Sequence, residues 1–171
     1  MALNDTQTRV LVLCTGNSCR SIIAEALINA LGNGRVVGYS AGSHPAGAVN
    51  PGAIAVLEKH DLDMSGIRSK SWDEFAGPDA PPVDIVITVC DSAAGESCPL
   101  WNGAPVTVHW GIADPAAASG DDIEPAFDRA YSELETRIRL MLELPMQSLD
   151  VRALGDSLAR IHDAVGQSGG R

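Results

Sequence analysis

The sequence is poor in aromatic residues, in basic residues and in long apolar runs. Aromatic residues make up 4% of the chain, and 12 lysines and arginines stand against 22 aspartates and glutamates, a formal charge of −10. Such a charge disfavours a sequence-independent hold on nucleic acid or anionic lipid. No segment approaches the roughly 18 to 20 uncharged apolar residues of a transmembrane helix, and the first residues lack the basic and apolar regions of a signal peptide. We therefore expect a cytoplasmic protein that binds neither nucleic acid nor membranes.

The chain does contain enough apolar material for one buried core. It has 171 residues, of which 45% are hydrophobic and 20% charged, a composition that excludes a disordered chain and suits a single domain. No internal repeat or low-complexity segment divides it. We expect a flexible arm over residues 1–8, one domain over residues 9–166 and a flexible tail over residues 167–171.

The hydrophobic pattern predicts alternating strands and helices. Residues 10–13 and 85–89 are continuous apolar runs, typical of strands buried on both faces of a parallel sheet. Further strands are predicted at 36–41 and 105–110, and helices after Ser21, from Pro51, over 126–144 and around 154–165. The predicted fold class is α/β, a single three-layer domain in which helices cover both faces of a four-stranded parallel sheet.

Four cysteines, Cys14, Cys19, Cys90 and Cys98, need an explanation. A core of this size needs no disulfide staples and a reducing compartment disfavours them, so reactive or metal-binding thiols are the better interpretation. Gaps of four and seven residues do not fit a compact zinc knuckle, and Arg20 would repel the cation, so we expect no metal and no cofactor. Cys14 and Cys90 each follow a predicted strand, and ligand sites in parallel sheets lie beyond the carboxyl ends of the strands.

The first loop, from Cys14 to Ser21, has the composition of an anion-binding site. It joins a buried strand to a helix N-terminus, and its small residues allow successive N–H groups to turn inward. The guanidinium of Arg20 can hold two oxygens of a tetrahedral oxyanion. Because this environment also stabilises a thiolate, we expect Cys14 to be a nucleophile of lowered pKa, with Ser21 donating a hydrogen bond to its sulfur. The residues predicted to hold the anion are Thr15, Gly16, Asn17, Ser18, Cys19 and Arg20.

The segment from Val10 to Glu25, VLVLCTGNSCRSIIAE, resembles the phosphate loop of the low-molecular-weight protein tyrosine phosphatases and, more closely, that of the bacterial arsenate reductases that share their fold. Four further segments are similar to the reductases: Ser40-Ala41-Gly42, Asn50-Pro51, residues 86–90 with Cys98-Pro99, and His109 to Pro115. The resemblance covers residues 10–144 and implies a flavodoxin-like fold of the low-molecular-weight phosphatase type.

The resemblance also implies a thiol relay that reduces arsenate to arsenite for arsenic detoxification. Cys14 attacks the bound arsenate while Asp114 acts as general acid, Cys90 attacks Cys14 to form a disulfide and release arsenite, and Cys98 moves that disulfide to Cys90–Cys98. Two electrons are needed, and a second thiol can supply them by forming a disulfide. Thioredoxin or glutathione/glutaredoxin would act as electron donor, and we expect the enzyme to be a monomer.

A potassium ion lies behind the phosphate loop in some thioredoxin-coupled reductases, held in part by residues that match Asn17, Glu25 and Ser40. An aspartate completes that site, and Lys70 aligns with it here. The resemblance therefore implies that the ammonium of Lys70 takes the place of the ion and pairs with Glu25, which predicts a potassium-independent enzyme.

Two other functions remain open from the sequence. One is a low-molecular-weight tyrosine phosphatase in which Cys90 and Cys98 restrain the active thiol by oxidation. The phosphatases place an aromatic residue after the Asp-Pro pair, whereas this chain has three alanines, 116–118, which favours an inorganic oxyanion. The other is a non-catalytic oxyanion or redox sensor, which would not need Asp114. Cys19 is interpreted as a packing residue.

Overall fold

The computed structural model describes residues 7–90 and 105–168 and contains one parallel four-stranded sheet. Its strands are β1 (Thr8–Leu13), β2 (Val36–Ala41), β3 (Ile85–Thr88) and β4 (Val106–His109), in the order β2-β1-β3-β4. The α-helices are α1 (Arg20–Leu31), α2 (Pro51–Lys59), α3 (Ile123–Leu142) and α4 (Val151–Ser168). Three single-turn 3-10 helices lie at Trp72–Phe75, Pro115–Ala117 and Gly120–Asp122. The predicted α/β fold with a parallel sheet is confirmed.

The two faces of the sheet have cores of different size. All four α-helices contribute side chains to one large cluster, which takes Val10 and Val12 from β1 together with Ile85 and Ile87 from β3. The opposite face carries a smaller cluster around Leu11, Leu13, Val86 and the 3-10 helix Trp72–Phe75. Both faces of the central strands are therefore buried, which explains why these strands are apolar at every position.

Several elements extend further than the hydrophobic pattern predicts. Thr8 belongs to β1 rather than to the predicted arm, because its N–H donates to the carbonyl of Arg35, 2.8 Å away. The third helix starts at Ile123 and not at 126, because the 3-10 turn Gly120–Asp122 leads directly into it. The last helix includes Gln167 and Ser168, which the prediction assigned to the tail.

The register of the sheet brings the predicted site residues to one edge. Leu13 pairs with Ala41 and with Thr88, and Thr88 pairs with His109, so the four strands end at the same level. Cys14 and Cys90 follow the ends of two adjacent strands. Cys98 lies outside the described residues. In the parts that are described, no helix has both the length and the apolar character that crossing a membrane requires.

Candidate active site

Backbone hydrogen bonds from residues 44–50 to its carbonyl groups hold the loop after β1 in place. The carbonyls of Thr15, Gly16 and Ser18 accept hydrogen bonds of 2.9 to 3.0 Å from the N–H groups of His44, Ala46 and Asn50. In a trans peptide the C=O and N–H of one unit point in opposite directions, so the N–H groups of Gly16, Asn17 and Cys19 face away from this support. They line the inner side of the loop, where an anion would bind. Residues 44–50, which fix this geometry, carry no signal for that role in the sequence.

Asn17 provides the turn that the loop needs. Its φ of 44° lies in the left-handed region, which asparagine tolerates better than other non-glycine residues. Its side chain is fully buried, and its Nδ2 donates to the hydroxyls of Ser21 and Ser40, each 2.9 Å away. Its Oδ1 accepts from the Lys70 N–H at 2.9 Å. The side chain therefore braces the loop from behind, and only the backbone of Asn17 faces the pocket.

The guanidinium of Arg20 is held at the rim by a neighbouring loop. Its Nη1 donates to the carbonyl of Ile112 at 2.8 Å, and its Nη2 lies 3.8 Å from Oδ2 of Asp114. Its Nε is buried and has no hydrogen-bond partner among the described residues. A buried donor without a partner is uncommon in folded proteins, and a bound oxyanion would satisfy it.

Asp114 lies at the mouth of the pocket. Its side chain is 47% exposed, and its Oδ1 accepts from the N–H of Ala116, which caps the 3-10 helix Pro115–Ala117. Its other carboxylate oxygen faces Arg20. An exposed carboxyl group beside the anion-binding arginine is placed to exchange a proton with an oxygen of a bound ligand.

The side chains of Cys14 and Cys90 lie side by side, and each residue is 6% exposed. The Cys90 sulfur accepts a hydrogen bond from the Thr15 N–H at 3.3 Å and lies 3.5 Å from the Thr15 hydroxyl. The hydrogen bond between the two thiols and then burial raise the pKa of Cys14, whereas Arg20 and the Gly16 N–H act to lower it.

The expectation of a lowered pKa for Cys14 is therefore wrong for this arrangement. The sequence shows the stabilising loop, but it does not show that a second sulfur lies in contact with the first. With the two thiols in contact, ionisation of one disfavours ionisation of the other. Arg20 and the inward N–H groups favour the Cys14 thiolate once that contact is released.

Two neighbours of Cys14 make other contacts than expected. The Ser21 hydroxyl accepts from Asn17, and within residues 7–90 and 105–168 it makes no hydrogen bond with the Cys14 sulfur. Cys19 lies in the main hydrophobic core, 3.7 Å from the Ser18 hydroxyl, and burial raises its pKa. Cys19 thus has the surroundings of a packing residue.

Behind the loop, Lys70 and Glu25 form a buried ion pair. The Lys70 Nζ lies 3.6 Å from Glu25 Oε1 and 3.5 Å from the Ser40 hydroxyl, and it donates to the carbonyl of Arg68 at 3.0 Å. Burial raises the pKa of Glu25 and lowers that of Lys70, and each residue opposes this change in the other. The predicted pairing is present. Because the ammonium already fills the space among these oxygens, the residues do not fit a potassium ion.

Gly42 is a position that the sequence pattern alone did not explain. A Cβ at this residue would lie 2.4 Å from the Thr15 carbonyl oxygen and 2.7 Å from that of Cys14. The Gly42 N–H donates to Lys70, and its carbonyl accepts from Trp72. The end of β2 therefore approaches the loop so closely that only glycine fits.

The family comparison agrees with this geometry. A model of the family described as low molecular weight phosphotyrosine protein phosphatase matches residues 9–152. Curated relatives are named arsenate reductase. That of Halalkalibacterium halodurans is 38% identical over 133 residues, which cover 77% of this chain and 92% of the relative. That of Bacillus subtilis is 35% identical over 133 residues, with the same coverage.

Solved structures of arsenate reductases and of tyrosine phosphatases are similar to this chain. An arsenate reductase from Archaeoglobus fulgidus has a TM-score of 0.62 and 27% identity, covering 79% of this chain and 99% of that one. The tyrosine phosphatase Wzb from Escherichia coli K30, in complex with sulphate, has a TM-score of 0.61 and 26% identity, covering 80% and 97%. A tetrahedral anion thus accompanies this fold in a related structure.

Proposed function

The chain belongs to the low molecular weight phosphotyrosine protein phosphatase family, and within that family we propose that it is a reductase. It binds arsenate in the loop after β1 and reduces it to arsenite through cysteine thiols. The observation that carries the proposal is that the side chains of Cys14 and Cys90 lie in contact at the floor of the loop after β1. Phosphate ester hydrolysis needs one nucleophilic thiol, whereas a two-electron reduction can use two.

The first step is attack by the Cys14 sulfur on arsenic. Inward N–H groups and the guanidinium of Arg20 bind the oxyanion and hold it against the thiolate. A sulfur–arsenic bond forms as an arsenic–oxygen bond breaks, and Asp114 protonates the leaving oxygen, which departs as water. The Cys14 thiol first leaves its hydrogen bond with Cys90, after which Arg20 and the inward N–H groups favour its thiolate.

The second step transfers the electrons. Cys90 attacks the sulfur of Cys14, a sulfur–sulfur bond forms, and the electron pair of the broken sulfur–arsenic bond stays on arsenic. Arsenic is thereby reduced from As(V) to As(III) and leaves as arsenite. The Thr15 N–H, 3.3 Å from the Cys90 sulfur, stabilises the thiolate that makes this attack.

The third step restores Cys14. Cys98 attacks Cys90 and leaves a Cys90–Cys98 disulfide, which an external dithiol reduces. A structural neighbour from Corynebacterium glutamicum, with a TM-score of 0.56 and 25% identity, is described as thioredoxin-dependent, and we propose thioredoxin as the donor, with glutathione/glutaredoxin as the alternative. This regeneration requires a reducing compartment such as the cytoplasm. Cys14, Arg20, Cys90 and Asp114 lie together without residues from a second copy, and we propose that the enzyme acts as a monomer.

A phosphatase is the second candidate, favoured by the family match and by the similarity to Wzb. The loop after Asp114 argues against a phosphotyrosine substrate. Its residues Ala116 and Ala117 form the 3-10 turn, and alanine offers no ring to pack against an aromatic substrate.

The test is arsenate-dependent NADPH oxidation with thioredoxin and thioredoxin reductase, repeated with glutathione and glutaredoxin. Cys14→Ser, Cys90→Ser and Cys98→Ser should each lose multiple turnover. Cys98→Ser should still release one equivalent of arsenite, because the first two thiols supply both electrons. Cys19→Ser is the matched control, since it changes a thiol of the same loop that the relay does not use. Turnover of p-nitrophenyl phosphate by the wild type without arsenate reduction would establish the phosphatase instead.

A further inference from the structure

Helix α4 lies almost wholly outside the region that this chain shares with its family. The family match ends at residue 152, one residue after the first position of α4, Val151. The alignment with the Halalkalibacterium halodurans relative spans 133 residues, too few to run from β1 to the end of α4. Nothing in the proposed relay uses this helix.

Helix α4 nevertheless packs as part of the core. Leu154, Leu158 and Ile161 recur at helical spacing and are all buried in the main cluster, where Val106, Val108 and Trp110 also lie. The helix thus packs against the edge strand β4, on the same face of the sheet as α3. Its opposite face is exposed, so its contacts within the protein are with α3, with β4 and with the residues after β4.

One polar contact of α4 reaches the segment that leads into the active site. The indole N–H of Trp110 donates to the carbonyl of Leu158 at 3.0 Å, and the Trp110 side chain is 1% exposed. A buried indole N–H needs a partner, and a carbonyl within a helix can accept this second hydrogen bond because it has two lone pairs. The ring is therefore fixed in position as well as buried.

From Trp110, hydrogen bonds lead directly to the anion-binding arginine. The backbone N–H of Trp110 donates to the carbonyl of Thr88 at 2.7 Å. The backbone N–H of Ile112 donates to the carbonyl of Val89 at 3.0 Å. The carbonyl of Ile112 in turn accepts from Nη1 of Arg20 at 2.8 Å. The position of Ile112, two residues after the anchored tryptophan, therefore sets the orientation of the guanidinium.

We propose that α4 is a positioning element of the oxyanion site and that Trp110 is the residue through which it acts. The hydrogen bond from the indole to Leu158 holds the segment that presents the Ile112 carbonyl to Arg20. This leaves Nη2 and Nε of Arg20 directed at the ligand. The family match includes Trp110 but ends at residue 152, so the helix that accepts the indole hydrogen bond lies beyond the matched region.

The test compares Trp110→Phe with Leu154→Ala in the full-length protein. Trp110→Phe keeps an aromatic ring and removes the N–H donor, whereas Leu154→Ala weakens the packing of α4 and leaves that hydrogen bond in place. Inorganic phosphate, measured by calorimetry, is the probe, because its binding does not depend on reduction and so tests this proposal even if the proposed reductase activity fails. Arg160→Ala, an exposed position on α4, is the control.

For Trp110→Phe we expect the dissociation constant of phosphate to rise about tenfold, the equivalent of one hydrogen bond. Its Tm should fall by no more than that of Leu154→Ala, because both substitutions leave a cavity in the core. The KM for arsenate should rise in parallel while kcat changes less. Leu154→Ala should lower Tm and change the phosphate dissociation constant by less than about twofold. An unchanged dissociation constant in Trp110→Phe would overturn the proposal, as would a loss of affinity in Leu154→Ala that matches its loss of stability.

Discussion

At the scale of single residues, the site depends on side chains that face away from the ligand. Asn17 directs its amide into the protein, and Gly42 matters because it lacks a side chain. The inward N–H groups are available to an anion only because residues behind the loop occupy the carbonyls. Substitutions behind the loop should therefore affect anion binding as strongly as substitutions within it.

Asn17→Ala tests this view of the loop. The substitution removes three hydrogen bonds of 2.9 Å, leaves the buried Lys70 N–H without an acceptor, and places a less tolerant residue at a φ of 44°. We expect the free energy of unfolding to fall by about 2 to 4 kcal/mol, measured in urea. Phosphate affinity should fall more than tenfold. Asn33→Ala is the control, because Asn33 is exposed, lies outside the loop and also has a left-handed φ, 52°. Equal phosphate affinity in the two variants would contradict the bracing role.

The position of the Lys70 ammonium predicts that the enzyme does not need potassium. Its ammonium lies among the oxygens of Glu25, Ser40 and Arg68, so replacing sodium by potassium at constant ionic strength should leave the rate of arsenate reduction unchanged. Lys70→Met should destabilise the fold by about 3 to 5 kcal/mol, because it leaves a buried carboxylate without its partner. A severalfold activation of the wild type by potassium would show that Lys70 does not replace the ion.

At the scale of elements, the contact between α3 and α4 should respond to pH. The Nε of buried Arg137 on α3 donates to Nδ1 of His162 on α4 at 3.3 Å, which requires that nitrogen to be unprotonated. Burial, followed by the charge of Arg137, lowers the pKa of His162, and His109 of β4 acts in the same direction. Asp163 and Glu133 oppose this shift. Protonation of His162 would place two cations in contact.

The sign of the effect follows from proton binding. The unfolded chain binds a proton at His162 near pH 6.5, its ordinary pKa, whereas the folded chain does so only at lower pH. The free energy of unfolding should therefore be greatest above about pH 6.5 and should fall as the pH drops towards the lowered folded value. His162→Gln, which can still accept from Arg137, should reduce this dependence in urea titrations from pH 5 to 8. His44→Gln is the control, and parallel curves for the wild type and His162→Gln would refute the assignment.

The elements could be predicted from the sequence where side chains determine them. The apolar runs of β1 and β3 and the amphipathic stripes of α3 and α4 identify these elements and nearly give their bounds. The support of the anion loop could not be predicted, because the contacts of His44, Ala46 and Asn50 with that loop are made by backbone groups, which leave no pattern in the sequence. The nearness of Cys90 to Cys14 could be predicted, because each cysteine follows a buried strand. The hydrogen bond between the two thiols, which raises the pKa of Cys14, could not.

At the scale of the whole molecule, the charge of −10 opposes the entry of an anionic substrate. A domain of this length has a radius of gyration of about 16 Å, so at an ionic strength of 0.01 M, where the screening length is about 30 Å, an approaching arsenate dianion is repelled by the whole protein. At 0.15 M the screening length is about 8 Å. The substrate then interacts mainly with Arg20 and the inward N–H groups of the loop.

Salt should therefore increase the efficiency of the enzyme, opposite to the usual effect on an anion-binding site. We expect kcat/KM for arsenate to rise about twofold or more as sodium chloride increases from 0.01 to 0.15 M, because the long-range repulsion is screened before the contacts in the loop are weakened. The measurement is arsenite release in a single turnover of reduced protein at low arsenate, which excludes salt effects on the reducing partner. At saturating arsenate the rate should not change with salt. A rate at low arsenate that falls steadily with salt would mean that the local positive field of the loop already dominates at a distance, despite the acidic balance of the chain.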